Sequence, residues 1–575
     1  MILASQHLII APILIPFLAG ALMLFYEDRQ RRERMILSVI SAGLLLLVAI
    51  ELLSRSKGDG PSGGTAIGVY LLGNWPPPFA IVLVLDRLSA LMLLLTALLA
   101  VPALVFSSAR WDRQGQHFHS LFQFLLMGLN GAFLTGDLFN LFVFFEVLLA
   151  ASYGLMLHGS GALRVRAGLH YIAINLAASL LFLIGVALIY GVTGTLNMAD
   201  LAVQVPRVAE ADRPLLQAGA AILGVAFLVK AAMWPVCFWL PITYMAAAPP
   251  VAAMFAVMSK VGVYVILRLG SLAFGAGAAH SAGFGAELLI AGGMATIAFG
   301  MFGVLASQGL GRLAGCSVLV STGTMLTVVG MSGLGAGASI LAAALYYMVS
   351  STLAISALFL MMELIERQQG GVATMLAVTA EAYGFGDEEA DDVEPVAELA
   401  VPGTMTVLGA CFAACVLLLA GLPPLSGFVG KFALLTAAMN PNGLGIGGAV
   451  PAASLAFTGL LILSGLAALI ALLRVGIQTF WVPSEDDEVP KVLLIEILPV
   501  VALLVMTATL TVQAQPVMRY MQATAWALGR PQIYVDGVMG APRVTGMPAE
   551  AADGEGGGEG EGAGGGAEGN GEASP

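Results

Sequence analysis

Charge is the scarcest feature of this sequence. Of 575 residues only 10% are Asp, Glu, Lys or Arg, while 59% are hydrophobic; ordinary soluble domains carry about a quarter charged residues. That shortage excludes a water-soluble enzyme and leaves no basic surface for nucleic acid. Cysteine is also sparse. Cys237, Cys316, Cys411 and Cys415 all lie in apolar segments, where a thiol packs as a small hydrophobe, and their spacing gives neither a disulfide frame nor a metal motif. His117 and His119 form an HxH at a helix start, without further ligands beside it. No flavin, haem or iron–sulfur ligand set is present, so no cofactor is expected. The first apolar run lacks a basic stretch and an A-x-A site ahead of the Arg29 to Arg34 cluster, so it reads as a retained helix, not a cleaved signal.

What the chain has in abundance is apolar sequence, almost unbroken from Ile9 to Val512. Crossing the hydrocarbon layer takes about 20 apolar residues per helix. Reading apolar runs against polar, Gly and Pro punctuation gives fourteen spans, at approximately 7–25, 35–53, 79–106, 119–136, 138–157, 168–191, 216–245, 249–270, 285–307, 311–331, 338–363, 402–439, 453–475 and 491–513. The fold class is therefore all-α integral membrane. Two spans, 216–245 and 402–439, are unusually long and contain prolines. A modestly amphipathic piece follows near Gln515 to Leu528, then a Gly- and Glu-rich tail whose composition opposes folding.

The net charge of −12 carries little functional meaning. Eight acids lie in Glu381 to Glu398, four in Glu485 to Glu488 and seven in Glu550 to Glu572, which read as solvated loops and tail. The basic residues are more telling, because Lys and Arg favour cytoplasmic loops. Loops after odd-numbered spans hold Arg29, Arg31, Arg32, Arg34, Arg110, Arg113, Arg164, Arg166, Arg312, Arg367, Arg474 and Lys491. Loops after even-numbered spans hold only Arg55, Lys57, Arg207, Arg213 and Arg268. Both termini are then expected on the non-cytoplasmic side, which an even span count satisfies.

With the loop charges set aside, Glu146, Lys230, Lys260 and Lys431 remain deep in apolar sequence. An ionised side chain at mid-membrane costs about 2.5–3.5 kcal/mol on insertion scales, so such groups face a hydrated interior, pair, or relay protons. Glu146 lies in FNLFVFFEVLLAASYGL, with Asp137 and Asn140 at the edge of the same span as turn and cap or as accessory groups. Lys230 lies in AFLVKAAMWPVCFWLPITYMAAAPP, where Pro235 cannot donate to the carbonyl of Ala231. Lys431 lies in LLLAGLPPLSGFVGKFALLTAAM, where Pro423 and Pro424 free the carbonyls of Leu419 and Ala420. Broken helices are tolerated in membranes where the freed carbonyls line an enclosed or wet cavity. A pair of them in corresponding halves points to inverted repeats with sites at the midplane. Lys260, in VAAMFAVMSKVGVYVILRLG, stands between the halves. The competing readings are a static ion pair holding two helices together for Glu146, a proline kink beside a snorkelling lysine for Lys230, and a structural partner to an acid for Lys260. His158 and His170 flank a loop on the cytoplasmic side, where His158 is a candidate for admitting protons.

FNLFVFFEVLLAASYGL, FLVKAAMWPVCFWLP and GLPPLSGFVGKF together resemble the antiporter-like subunits shared by respiratory complex I, membrane-bound hydrogenases and Mrp (Pha) cation/proton antiporters. The resemblance covers about 1–513. It implies fourteen transmembrane helices with two inverted five-helix repeats, each with a discontinuous helix: residues 1–118 for helices 1–3, a first repeat at 119–270 (helices 4–8), a second at 285–475 (helices 9–13), helix 14 at 491–513, and a C-terminal segment at 514–575. It also implies that the family's helix-five glutamate is Glu146 and its lysines of helices seven, eight and twelve are Lys230, Lys260 and Lys431, relaying protons along a hydrated axis.

The eleventh span departs from the resemblance. Complex I's most distal subunit carries HxxxHxxxK there, whereas ALYYMVSSTLAISALFL places Ser351 and Ile355 at the second His and the Lys. Length and the wording of GLPPLSGFVGK resemble instead the D-type subunits of Mrp complexes. The resemblance thus implies a secondary transporter subunit in a bacterial inner membrane, not an enzyme, assembled with other hydrophobic antiporter subunits and moving H⁺ against Na⁺ or K⁺. The alternative is a proton-pumping membrane subunit of a complex I-like NADH-quinone oxidoreductase or a membrane-bound hydrogenase.

Overall fold

A computed structural model describes residues 7–27, 30–58, 66–79, 81–368, 403–441, 449–480 and 492–542. The three acidic stretches, Arg29, Lys491 and the Gly/Glu-rich tail lie outside them. Contacts set Met1–Ala541 apart from Pro542–Pro575, and the helices below all belong to the first unit.

The chain opens with α1 (Ala11–Met23), α2 (Arg31–Arg55), α3 (Arg87–Ser107) and α4 (Phe118–Leu134). Pro16 inside α1 has no N–H to give to the carbonyl of Pro12. That carbonyl instead accepts from Asn130 Nδ2 on α4 at 2.9 Å. Gln123, one face along α4, donates to Ser38 Oγ at 2.9 Å and accepts from Ser41 Oγ at 2.8 Å. Polar side chains of this kind hold helices together where lipid offers no hydrophobic drive.

The third span begins later than the apolar run suggests. Residues 81–86 are not helical: Val82–Leu85 pairs antiparallel with Gly68–Leu71, Leu71 opposite Val82 and Gly68 opposite Leu85. Closely spaced β-branched Ile81, Val82 and Val84 favour this extended hairpin. Asp86 then starts α3, its carboxylate accepting from the Ser89 N–H at 2.9 Å while Ser89 Oγ accepts from the Asp86 N–H, a capping box.

Next come α5 (Leu138–Met156), α6 (Ala162–Thr193), the short α7 (Met198–Gln204), α8 (Arg213–Lys230), α9 (Trp239–Ala246) and α10 (Pro249–Leu272). They are followed by α11 (Ala286–Ala306), α12 (Leu310–Gly333), α13 (Ala338–Gln368), α14 (Thr404–Ala420), α15 (Ser426–Met439), α16 (Ala452–Phe480) and α17 (Leu494–Val512). Both proline-bearing spans are discontinuous: 216–245 resolves into α8 and α9, and 402–439 into α14 and α15. Eleven described helices are long and apolar enough to cross a membrane, and α1, α4, α14 and α15 are apolar but shorter. After α17 two further helices, α18 (Ala514–Leu528) and α19 (Pro531–Met539), complete the unit; α18 realises the amphipathic piece expected there.

At the centre stands α10, whose most apolar window is entirely buried, beside the almost equally buried α12 and α13. Helices such as α2, α6 and α16 turn Leu47, Leu169, Leu180 and Ile462 outward, the apolar belt a bilayer requires. Small residues let α11 and α12 approach closely. A Cβ on Gly323 would stand 2.7 Å from the carbonyl oxygen of Gly293, so only glycine permits this crossing.

Candidate functional site

Both helix breaks are built by one device. The last turn of α8 closes with Met233 N–H donating to Leu228 O at 2.9 Å and Ala232 N–H to Val229 O at 3.1 Å, Ala232 being left-handed at φ 54°. At the second break Leu422 N–H donates to Leu417 O at 2.9 Å, with Gly421 left-handed at φ 79°. These are Schellman-type endings, which satisfy some of a helix's last carbonyls and leave others open. Pro235 and Pro423–Pro424 follow a few residues on and bar the helix from resuming in register.

At the second break the open carbonyls have a partner. Lys431, on the second turn of α15, reaches back to the end of α14 and donates to Leu419 O at 2.8 Å and Ala420 O at 3.1 Å. An ammonium is well placed at the negative end of a helix dipole. Glycines make room for it: a Cβ on Gly421 would lie 2.5 Å from Lys431 Cδ, and one on Gly465 of α16 3.1 Å from Lys431 Nζ.

Lys230 is the final residue of α8 itself, and it is buried. Its Nζ is 3.5 Å from Ser179 Oγ on α6 and 5.5 Å from the centre of the Phe145 ring on α5, a cation–π distance. Glu146, next to Phe145, is half-buried. Its Oε1 is fully covered and has no hydrogen-bond partner among the described residues. Glu146 and Lys230 are electrostatic neighbours but form no direct ion pair among the described residues.

Lys260, at the middle of α10, is almost wholly buried, and its Nζ donates to Ser321 Oγ at 2.9 Å and Thr322 Oγ1 at 3.1 Å, both on α12. Ser321 Oγ lies 2.8 Å from Ser351 Oγ on α13, and the adjacent Ser350 Oγ lies 2.8 Å from Ser426 Oγ at the start of α15. Ser351, at the eleventh-span position singled out in the sequence, thus belongs to one of two hydroxyl pairs that lie between Lys260 and the helix that bears Lys431. Sequence reading missed Ser321, Ser350 and Ser426, since hydroxyls in apolar helices are common and usually bond their own backbone.

The accessory candidates are placed as follows. Asp137 caps α5, its Oδ1 accepting from the Asn140 N–H at 2.8 Å, and burial raises its carboxyl above the ordinary carboxylate value. His158, in the turn after α5, has Nε2 at 2.6 Å from Trp111 O, and burial lowers its imidazole below the ordinary value. Beside it, Arg31 pairs with buried Asp112, which also lies 3.5 Å from His119 Nε2. His117 is left-handed at the start of α4. No group of His, Cys, Asp and Glu suited to a metal ion occurs among the described residues, and the four cysteines are buried and free.

Comparison with known proteins places this geometry. The chain is 57% identical over 538 residues to the D-type subunit of a probable K⁺/H⁺ antiporter from Rhizobium meliloti, covering 94% of this chain and 98% of that protein. It is 34% identical over 545 residues to the D-type subunit of the Na⁺/H⁺ antiporter from Alkalihalophilus pseudofirmus, with 93% and 99% covered. Among solved structures, a chain of the Mrp complex from Dietzia superposes with a TM-score of 0.75 at 26% identity, over 93% of this chain and 99% of that one. The profile of the family described as NADH:quinone oxidoreductase/Mrp antiporter, transmembrane, matches residues 135–453, which hold Glu146, all three lysines and both breaks. The protein therefore belongs to the NADH:quinone oxidoreductase/Mrp antiporter transmembrane family.

Proposed function

We propose that this chain is the proton-translocating, D-type component of a multisubunit monovalent cation/proton antiporter in a bacterial inner membrane. The observation that carries the reading is the row of three buried ammonium groups, two of them at helix breaks, in a chain 57% identical to its counterpart in a probable K⁺/H⁺ antiporter. The eleven long helices together with α1, α4 and the α14–α15 pair support a fourteen-span topology. Two inverted repeats, 119–270 and 285–475, each contain one break: α8 precedes the first and α14 the second. The excess of arginine in the loops after odd-numbered spans supports termini on the non-cytoplasmic side.

In this reading Glu146 and Lys230 form the first station. The carboxyl and the ammonium stand close without touching, so each proton transfer through one is felt by the other. Lys260 is the second station and Lys431 the third, with Ser321, Ser351, Ser350 and Ser426 between them. A hydroxyl both donates and accepts, so a line of them can pass a proton by exchanging roles. The Leu419 and Ala420 carbonyls accept from Lys431 and hold its Nζ at the end of α14. His158 and Asp137 are accessory groups at opposite ends of α5. The exchanged cation is Na⁺ or K⁺, with other hydrophobic subunits completing the complex.

In everted vesicles carrying the assembled complex, Lys230→Ala and Glu146→Ala should each abolish the dissipation of ΔpH on adding KCl or NaCl. Wild-type exchange in a fully assembled Lys230→Ala complex would refute the relay. Running K⁺, Na⁺ and Li⁺ side by side on the wild-type complex identifies the cation.

A further inference from the structure

The relay leaves one buried ion pair unused. Arg268 lies on α10 eight residues beyond Lys260, with Tyr264 between them at the fourth, so all three share a face of one helix. At about 1.5 Å per residue the file runs roughly 12 Å from the ammonium toward the end of α10. Arg268 is 4% exposed and grips the Asp86 carboxylate with both arms, at 2.6 and 2.8 Å. Its Nη2 also donates to the Tyr264 hydroxyl at 3.2 Å, and that hydroxyl donates to Phe133 O at 2.6 Å.

The cluster lies beneath the C-terminal helices. The ring of Tyr534, on α19, faces the Arg268 guanidinium at 5.1 Å. Tyr520, on α18, donates to Arg87 O at 2.8 Å. Asp86 and Arg268 border a cavity of about 20 Å³ whose other walls include Ser271, Thr524, Ile533 and Tyr534. That volume accommodates one water, and the lining is polar enough to hold it. The charged and titratable groups facing Asp86 are Arg268, Tyr264, Tyr520 and Tyr534, with Arg87 on the wall of the same cavity.

A static clamp is a weak explanation for such a pair. A buried ion pair contributes little to stability relative to apolar residues of the same shape, and this one borders a cavity of water size. We propose that Asp86, held by Arg268, is the outlet group through which protons leave the Lys260 station, passing Tyr264 and emerging beneath α18 and α19. This rests on the relay reading above. The Lys260 ammonium gives up one proton and becomes a neutral amine. The Asp86 carboxylate takes that proton and lets go one of its two bonds from Arg268, which keeps its charge. Release of the proton to solvent restores the carboxylate and its two-armed grip.

The test uses the complete complex in everted vesicles, with subunit assembly checked on native gels. Asp86→Asn is expected to slow cation-dependent ΔpH dissipation at least tenfold, and Asp86→Glu to keep at least a third of the rate. Tyr264→Phe keeps the ring and is expected to slow exchange about threefold. The double variant Asp86→Asn/Arg268→Gln separates outlet from clamp. With both charges gone no buried charge is stranded, so a clamp would regain activity, whereas an outlet stays at least tenfold slow in an assembled complex. Wild-type rates in that double variant, or in Tyr264→Phe, would overturn the proposal. If Lys260→Ala also exchanged at the wild-type rate, the relay itself would fall, a result distinct from failure of the outlet alone.

Discussion

At the scale of single residues, the site is a set of ammonium groups whose partners are uncharged. Lys260 has two hydroxyls, Lys431 two carbonyls, and Lys230 a hydroxyl and a ring face. A carboxylate in contact would hold each proton firmly, whereas these neutral acceptors support the charge and still let it go. Ser351 tests this view of the hydroxyl line. Ser351→Ala removes the partner of Ser321 without opening space, and is expected to slow exchange about three- to tenfold while leaving assembly intact. Ser351→Thr keeps a hydroxyl and should recover most of the rate. Equal rates for Ser351→Ala and wild type in the vesicle assay would remove the hydroxyls from the path. The four deep charges were legible in the sequence because charge is so rare there. The serines were not, since nothing in a lone Ser distinguishes one that bonds its own helix, as Ser152 does to Leu149 O, from one that faces a neighbour.

At the scale of elements, the breaks were visible from Pro235 and Pro423–Pro424, but where the helices end was not. Each ends at a left-handed residue ahead of its proline, because the cap closes the last turn before the ring is reached. Gly421 suits that conformation, while Ala232 at φ 54° is strained by its Cβ, a cost of about 1–2 kcal/mol. Ala232→Gly is therefore expected to stabilise the end of α8, raising the melting temperature of the purified complex slightly and leaving the Lys230 contacts in place. A lower melting temperature would mean that the extra backbone freedom of glycine outweighs the relief. The start of the third span escapes sequence reading for a related reason. An apolar run says that a segment is buried but not its period, and only the Asp86 and Ser89 capping box marks where extended chain turns into helix.

At the scale of the whole molecule, a many-helix membrane protein was legible from hydropathy, and eleven described helices are long and apolar enough to cross a membrane. The packing order was not. Nothing in VAAMFAVMSKVGVYVILRLG announces that the most apolar window of α10 is wholly buried among the other helices, apart from its lysine. The turn holding His158 carries the prediction that belongs to this scale. Burial holds its imidazole below the ordinary value of 6.5, against the pull of Trp111 O and Asp112 and with the help of Arg164 and His119. A histidine whose folded value is depressed binds more protons when unfolded. Its contribution is intact above the ordinary value and is lost as pH falls from there through the folded value. The purified complex should thus melt at a lower temperature at pH 5.5 than at pH 7.5, and His158→Gln should narrow that gap. An unchanged gap would assign the acid sensitivity to other groups.

The burial of α10 also bears on how the chain is made. Arg268 meets a partner already synthesised, since Asp86 precedes it by 182 residues. Lys260 must wait for Ser321 and Thr322, which follow 61 and 62 residues later. During that interval α10 has earlier helices such as α3 and α8 beside it, but its central ammonium lacks the two hydroxyls it donates to in the folded chain. An isolated lysine there costs about 2.5–3.5 kcal/mol in lipid, so the translocon or an insertion chaperone is the natural resting place of α10 until α12 emerges. The surroundings of Lys260 are complete only once those two hydroxyls have been made.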